Sequence, residues 1–223
     1  MAIRINAAAR AAQGAARRAR TRERLLEAAM EVIATNRGDT TIDLVVEAAG
    51  VSRGTFYNYF PTLEDLTHAV ADHLAEDARQ DLGVRLAHVW DPAAQLAASA
   101  HYFLRRTRRE PVWAWAALSV NEMRDRDFPS VNRVFMSLHR RGVAAGLFAP
   151  RDPVAAHVIT AGALRAAQRQ VLADDPPFEF DMEVIGMLLQ ALGVPAELAA
   201  AISRETATAA ETIEPSAASA GAL

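Results

Sequence analysis

The stretch AGVSRGTFYNYF, residues 49–60, constrains this chain more than any other. Ten of its residues, 51–60, hold four of the chain's 14 aromatics together with one arginine and one glycine, so the segment is built either as core or as a contact surface. A helical wheel separates the two. With Ser52 as N-cap, its hydroxyl accepting from an orphan backbone N–H, Phe56 and Phe60 fall one turn apart on a single face and read as core. Gly54 and Asn58 share the opposite face, Thr55, Tyr57 and Tyr59 flank it, and Arg53 stands at the exposed helix start. A polar, aromatic, nearly flat face around a glycine is one that a groove can approach closely.

The preceding TTIDLVVEAAG, residues 40–50, offers a Thr N-cap at 40 or 41. It continues as a short apolar helix through Leu44, Val45 and Ala48, and Gly50 is the left-handed residue that ends it. Helix, glycine turn, helix is the helix-turn-helix pattern. With RTRERLLEAAMEVIATNRG (20–38) before it and YFPTLEDLTHAV (59–70) after it, the stretch resembles the TetR family of bacterial transcriptional regulators over residues 17–70.

Charge agrees with a DNA-facing end. Residues 1–60 carry nine arginines against six acids, a net +3, while the rest carries 15 arginines against 21 acids, a net −6. A basic third on an acidic body suits a protein of which one end meets a polyanion. Every basic residue is arginine and there is no cysteine. That excludes a Walker A loop, a Schiff-base lysine, disulfides and cysteine-based zinc sites. No apolar run reaches the length of about 18 residues needed to span a membrane, and no signal-peptide core follows the Arg-rich start, so a cytoplasmic protein is expected.

The remainder reads as helices. A first long one is predicted over 20–36, with Leu25, Leu26, Ala29, Val32 and Ile33 on one buried face. A fourth is predicted over 61–88, with Pro61 in its first turn, and this element would link the two ends of the protein. Others follow over 92–109, 111–123, 128–142, 152–173, 180–192 and 195–203. The fold class is all-α. Residues 1–19 are expected as a flexible Arg/Ala-rich arm and 206–223 as a disordered tail.

The resemblance implies a three-helix DNA-binding domain over 20–66 and a larger effector-binding and dimerisation domain over 67–205. In that frame Ser52 to Tyr59 is the recognition helix. Arg53 would donate to guanine, Asn58 would pair with a base edge, and Gly54 would let the backbone come close. Thr41, Thr55, Tyr57 and Tyr59 would contact phosphates, and Arg17, Arg18, Arg20 and Arg22 would neutralise backbone or enter the minor groove. One departure stands out: Leu63 occupies the position where the family commonly carries a phosphate-binding lysine. Arm arginines or the N-terminus of the fourth helix are the available substitutes.

In FEFDMEVIGMLLQAL (178–192), Met182, Ile185, Gly186 and Leu189 form one apolar stripe and Val184, Met187, Leu188 and Ala191 another. A helix apolar all round is covered on two sides. Covered from within one chain, it would be a central core helix; the resemblance implies instead a homodimer through helices 152–173 and 180–192, with Ile185 in the seam.

The aromatics Tyr102, Phe103, Trp113, Trp115, Phe128 and Phe135, with Met123 and Met136 nearby, suit an apolar small-molecule site and an ordinary core alike. The family implies an effector cavity here, with Asn121, His101, His139, Arg140 and Gln168 as polar candidates. His68 and Asp72, one turn apart, could hold a metal but read as solvated polar residues, and Asp125, Asp127, Asp174 and Asp175 as turn formers. No catalytic residues, metal or cofactor are assigned. The expected function is a ligand-responsive repressor released from a palindromic operator by an apolar or amphipathic effector. The alternatives are a helical interaction scaffold that does not bind DNA and a small helical enzyme.

Overall fold

The computed structural model describes residues 2–36, 39–89, 91–123 and 129–211, with side chains described except at 2–9, 11, 121–123, 129–134 and 208–211. Among the described residues the regular structure is all helical, in ten helices: α1 (Ala2–Asn36), α2 (Ile42–Ala49), α3 (Arg53–Tyr57), α4 (Leu63–Arg85), α5 (Pro92–Arg109), α6 (Pro111–Met123), α7 (Pro129–Ala144), α8 (Pro153–Asp174), α9 (Glu179–Ala191) and α10 (Ala196–Glu211). None of them is long and apolar enough to cross a membrane. The chain divides into two compact units, one of residues 1–73 with 115–125, the other of 74–114 with 126–223.

In the first unit the core forms where the wheel put it. Leu25, Leu26, Ala29, Val32 and Ile33 of α1 are buried, as are Val45 and Ala49 of α2 and Phe56 and Phe60, each large side chain contributing roughly 1.5–3 kcal/mol by leaving water. In α2 the buried pair is Val45 and Ala49, one turn apart, and Leu44 and Ala48 are exposed. Two expectations are corrected here. Helix α1 begins at Ala2 rather than near 20, since alanine and arginine are both strong helix formers and an apolar period is not needed to extend a helix already nucleated. Pro61 lies outside α4. The N-cap is Thr62, whose N–H and hydroxyl both donate to Asp65 while the Asp65 N–H donates back to the Thr62 hydroxyl, a reciprocal capping box.

In the second unit proline and aspartate set the helix starts. Asp91 accepts from the Ala94 N–H at 2.7 Å ahead of Pro92, and Asp152 accepts from Val154 and Ala155 at 2.8 Å ahead of Pro153. The core draws on α5, α8, α9 and α10, including Leu96, Leu104, Leu164, Val171, Leu189 and Leu192. Ile185 is 0% exposed within it. Its assignment to a dimer seam is therefore wrong: that stripe of α9 is already covered by the chain's own α5, α8 and α10.

Helix α10 continues to Glu211, past the expected end near 203 and into the segment taken as a disordered tail. The reason is two side chains of α5 that hold its backbone. His101 Nε2 lies 2.9 Å from the Ser203 carbonyl, and Arg105 donates to the Ala207 carbonyl at 2.7 Å. The remainder of that expected tail, 212–223, lies outside the described residues. On the other side, Arg108 of α5 binds the α8–α9 loop and the first turn of α9. It donates twice to Asp181, at 2.7 and 2.9 Å, and also to Asp175 and the Pro176 carbonyl.

Candidate functional site

Two places collect the predicted site residues. The first is α2, its turn and α3. Thr41 caps α2, accepting from the Leu44 N–H at 3.3 Å, and Gly50 ends it at φ 62°, a left-handed value that favours glycine. The Val51 N–H returns to the Val46 carbonyl, which fixes the direction of the turn. Ser52 then caps α3, accepting from the Thr55 N–H at 3.1 Å and sharing a hydrogen bond with the Thr55 hydroxyl. The helix is shorter than expected, ending at Tyr57, with Asn58 as its C-cap.

Sequence position becomes surface as the wheel requires. Phe56 and Phe60 point inward, Ser52, Arg53, Gly54, Tyr57 and Asn58 are exposed, and Thr55 and Tyr59 are half-buried. Gly54 has a helical backbone and open space: a Cβ built there meets only the Ser52 hydroxyl, at an ordinary 3.8 Å. Nothing inside the chain demands glycine at this position. Arg53 pairs with Asp43 across the turn at 3.2 Å, both side chains more than half exposed, so the pair is a weak one that a stronger anion can displace. Asp43 is the residue that reading the sequence missed; its place in the first turn of α2, where an acid is commonly found, was the available signal.

Arg17, Arg18, Arg20 and Arg22 are exposed along α1, fixed on a helix and not on a loose arm. The Arg22 guanidinium lies 5.5 Å from the centre of the Phe60 ring. Leu63 is half-buried, and the start of α4 does not replace the absent lysine: its first turn is occupied by Asp65 in the capping box and carries Glu64 beside it. Acidic side chains there repel a phosphate. His68 pairs with Glu64 of its own helix at 3.8 Å, as a solvated surface residue does.

The second place lies in the second unit and does not hold all the predicted ligand contacts. Trp115 belongs to the first unit. The side chain of Asn121 and all of Phe128 lie outside the described residues. His101 is fully buried, stacked on Phe178 and bound to the Ser203 carbonyl, and burial pushes its pKa down; its role is to dock α10. Tyr102 is buried with its hydroxyl accepting from Arg106 at 2.7 Å. Gln168 of α8 donates to Thr107 of α5 at 3.1 Å.

What remains together is a ring set on four helices: Phe103 on α5, Trp113 on α6, Phe135 and His139 on α7, with His157 on α8. Arg106 stacks on Trp113 at 4.0 Å and binds Asp77 of α4, Glu110 and Tyr102. His157 and Arg106 had no motif to announce them. The signal for His157 was the buried face His157, Thr160, Leu164, Gln168 and Val171 of α8, which keeps helical spacing.

Two family models match this chain: that of bacterial regulatory proteins of the tetR family over residues 25–70, and that of the tetracyclin repressor-like C-terminal domain over residues 91–205. An uncharacterised HTH-type transcriptional regulator of Mycobacterium tuberculosis is 34% identical over 94 residues, 41% of this chain. The match spans 46% of that relative's length, less than half. Among solved structures, RolR in complex with the ligand resorcinol is 28% identical, with a TM-score of 0.64 over 91% of this chain and 98% of that one. FadR of Bacillus subtilis in complex with stearoyl-CoA is 17% identical, with a TM-score of 0.63 over 76% of this chain and 98% of its own, and shares the fold.

Proposed function

We infer the function from the premise that this chain belongs to the tetR family of bacterial regulatory proteins, a family of helix-turn-helix transcriptional regulators with a ligand-binding C-terminal domain. On that premise the protein is a homodimeric repressor that a small effector releases from a palindromic operator. The observation that carries the reading is α3. Its inner side is core, and its outer side presents Arg53, Gly54, Tyr57 and Asn58 around a glycine that the fold itself does not need. Arg53 leaves Asp43 for a guanine edge, Asn58 reads a neighbouring base, and Tyr57, Tyr59, Thr41 and Thr55 meet phosphates. Ser52 holds the helix start in position. The α1 arginines 17, 18, 20 and 22 neutralise the backbone, the task that no lysine performs at position 63.

Dimerisation uses the face of α8 and α9 that the subunit leaves uncovered. Val158 and Met187 are each 62% exposed, and Ala155, Ile159 and Ala166 continue the apolar stripe along α8 at helical spacing. The small side chains let two helices approach closely, and a two-fold axis then repeats the face on the partner. Val158→Asp and Met187→Asp should each leave the helical content intact, since neither side chain belongs to the subunit core. Both should convert the dimer to monomer in sedimentation and lose the palindromic operator. A Met187→Asp, Val158→Asp double variant that stays dimeric would place the interface elsewhere.

The effector sits among the rings of the second unit, as supported by the likeness to RolR with its resorcinol. Coupling runs through Arg106, which touches Trp113 on one side and Asp77 of α4 on the other. A ligand that moves Trp113 thus acts on Arg106 and, through Asp77, on α4. A differential affinity of about 1–3 kcal/mol between the two dimer conformations changes operator affinity roughly 5–150-fold.

A further inference from the structure

The chemistry of the effector is written in one histidine of the second unit, on the reading of that unit as the effector domain. Phe135 and His139 lie one turn apart on α7 and share a face. Phe103 is 6.4 Å from Phe135 and 6.2 Å from Trp113, with which it is nearly parallel. His139 meets His157 edge-on at 5.9 Å and Phe148 at 6.2 Å. His139 is 3% exposed, yet neither of its ring nitrogens has a hydrogen-bond partner among the described residues, and the buried indole N–H of Trp113 has none either. Buried polar atoms are nearly always satisfied, and leaving one unmade costs about 1–3 kcal/mol. A group of this kind within a ring set marks a place where a partner completes the pattern.

The partner's character follows from the protonation of the site. Burial, with His157 alongside, lowers the pKa of His139 below its ordinary 6.5, so at neutral pH the ring offers one N–H donor and one acceptor nitrogen. A hydroxyl matches both, since it donates and accepts. The nearby cation, Arg106, is already paired with Asp77 and Glu110 and bound to the Tyr102 hydroxyl, so its charge is answered from within the chain. Trp113 and Phe135 are the two rings of the set left half-buried; Arg106 lies over the Trp113 ring, which leaves its edge with the indole N–H, while Phe135 adds an apolar ring to pack against.

We propose that the site takes a neutral hydroxylated aromatic ring, its hydroxyl on His139 and its ring against Phe135 and the N–H edge of Trp113. A ring of that chemistry satisfies the histidine without bringing a charge into the bundle, whereas a carboxylate would lose its hydration and meet an Arg106 whose charge is already answered by Asp77 and Glu110.

Isothermal titration of the full-length protein at neutral pH with resorcinol, benzoate and toluene reads the proposal directly. Resorcinol should bind saturably, with benzoate and toluene each about tenfold weaker or more. His139→Phe keeps a ring in place but removes both nitrogens, and should weaken resorcinol about tenfold while leaving toluene unchanged. Trp113→Phe tests the same polar end from α6 and should also weaken resorcinol selectively. Benzoate binding as tightly as resorcinol, or His139→Phe binding resorcinol like the wild type, overturns the proposal. Operator binding by the same preparations separates the two levels: intact operator binding without any resorcinol heat sinks this inference alone, and a wild-type protein that ignores DNA sinks the reading beneath it.

Discussion

A Gly54→Leu protein is expected to melt no lower than the wild type and to bind its operator about 5- to 150-fold more weakly, the loss equivalent to one bidentate base contact of about 1–3 kcal/mol. The two halves of that expectation have separate causes. In the free chain a side chain at 54 enters open space, and replacing glycine within a helix removes a penalty of up to about 1 kcal/mol. On DNA, the same side chain stands between the backbone of α3 and the groove and holds Arg53 away from the base edge. Gly54→Ala should show the same pattern in smaller measure. Calorimetric melts and operator titrations on the same samples check it. A Gly54→Leu protein that binds DNA as the wild type does would move the contact face off α3.

Arg108→Ala is expected to lower the unfolding free energy by about 3–5 kcal/mol, the cost of leaving a buried carboxylate without its cation. Asp181 is 0% exposed and accepts two hydrogen bonds from the Arg108 guanidinium. The same arginine also reaches Asp175, but that side chain is 77% exposed, so Asp175→Ala should cost under about 1 kcal/mol. Adding Asp181→Leu to Arg108→Ala should recover much of the loss, because the stranded charge is then gone. Denaturant titrations of the four proteins give the comparison. Equal costs for Arg108→Ala and Asp175→Ala would mean that the Asp181 pair does not tie the start of α9 to α5 as argued.

What the sequence revealed, and what it hid, follows from whether local chemistry or distant packing decides each feature. Helices α5 and α6 have the predicted bounds, 92–109 and 111–123, because prolines and a capping aspartate punctuate them in the chain itself. The helix-turn-helix was legible for the same reason: Thr41, Gly50 and Ser52 act within four residues of where they stand. The covered side of α9 was not legible. Apolar residues run all round it, so periodicity cannot say which stripe meets α5 and α10; Ile185 is buried against them and Met187 is 62% exposed.

The length of α10 depended on His101 and Arg105, each about 100 residues away in the chain. Trp113 and Trp115, two residues apart, point to opposite sides of α6 by helical phase and fall in different units, so grouping them as one ligand surface ignored a geometry the sequence did contain. His139 stands in no motif of the sequence. Its lack of a hydrogen-bond partner, which gives it chemical meaning, exists only once α7 and α8 are packed.

The central claim, that a two-fold pair of α3 helices reads DNA, is tested most directly by selecting duplexes from a random pool with the wild-type protein and titrating the winner against salt. The account predicts an approximate palindrome with half-sites about one helical turn apart or a multiple of it. Its binding should weaken as salt rises, with a slope of about −0.9 per phosphate neutralised, and Arg53→Ala should relax the preference at one base pair of each half-site. A pool that yields no enriched sequence, or binding that Arg53→Ala weakens equally on every duplex, would contradict it.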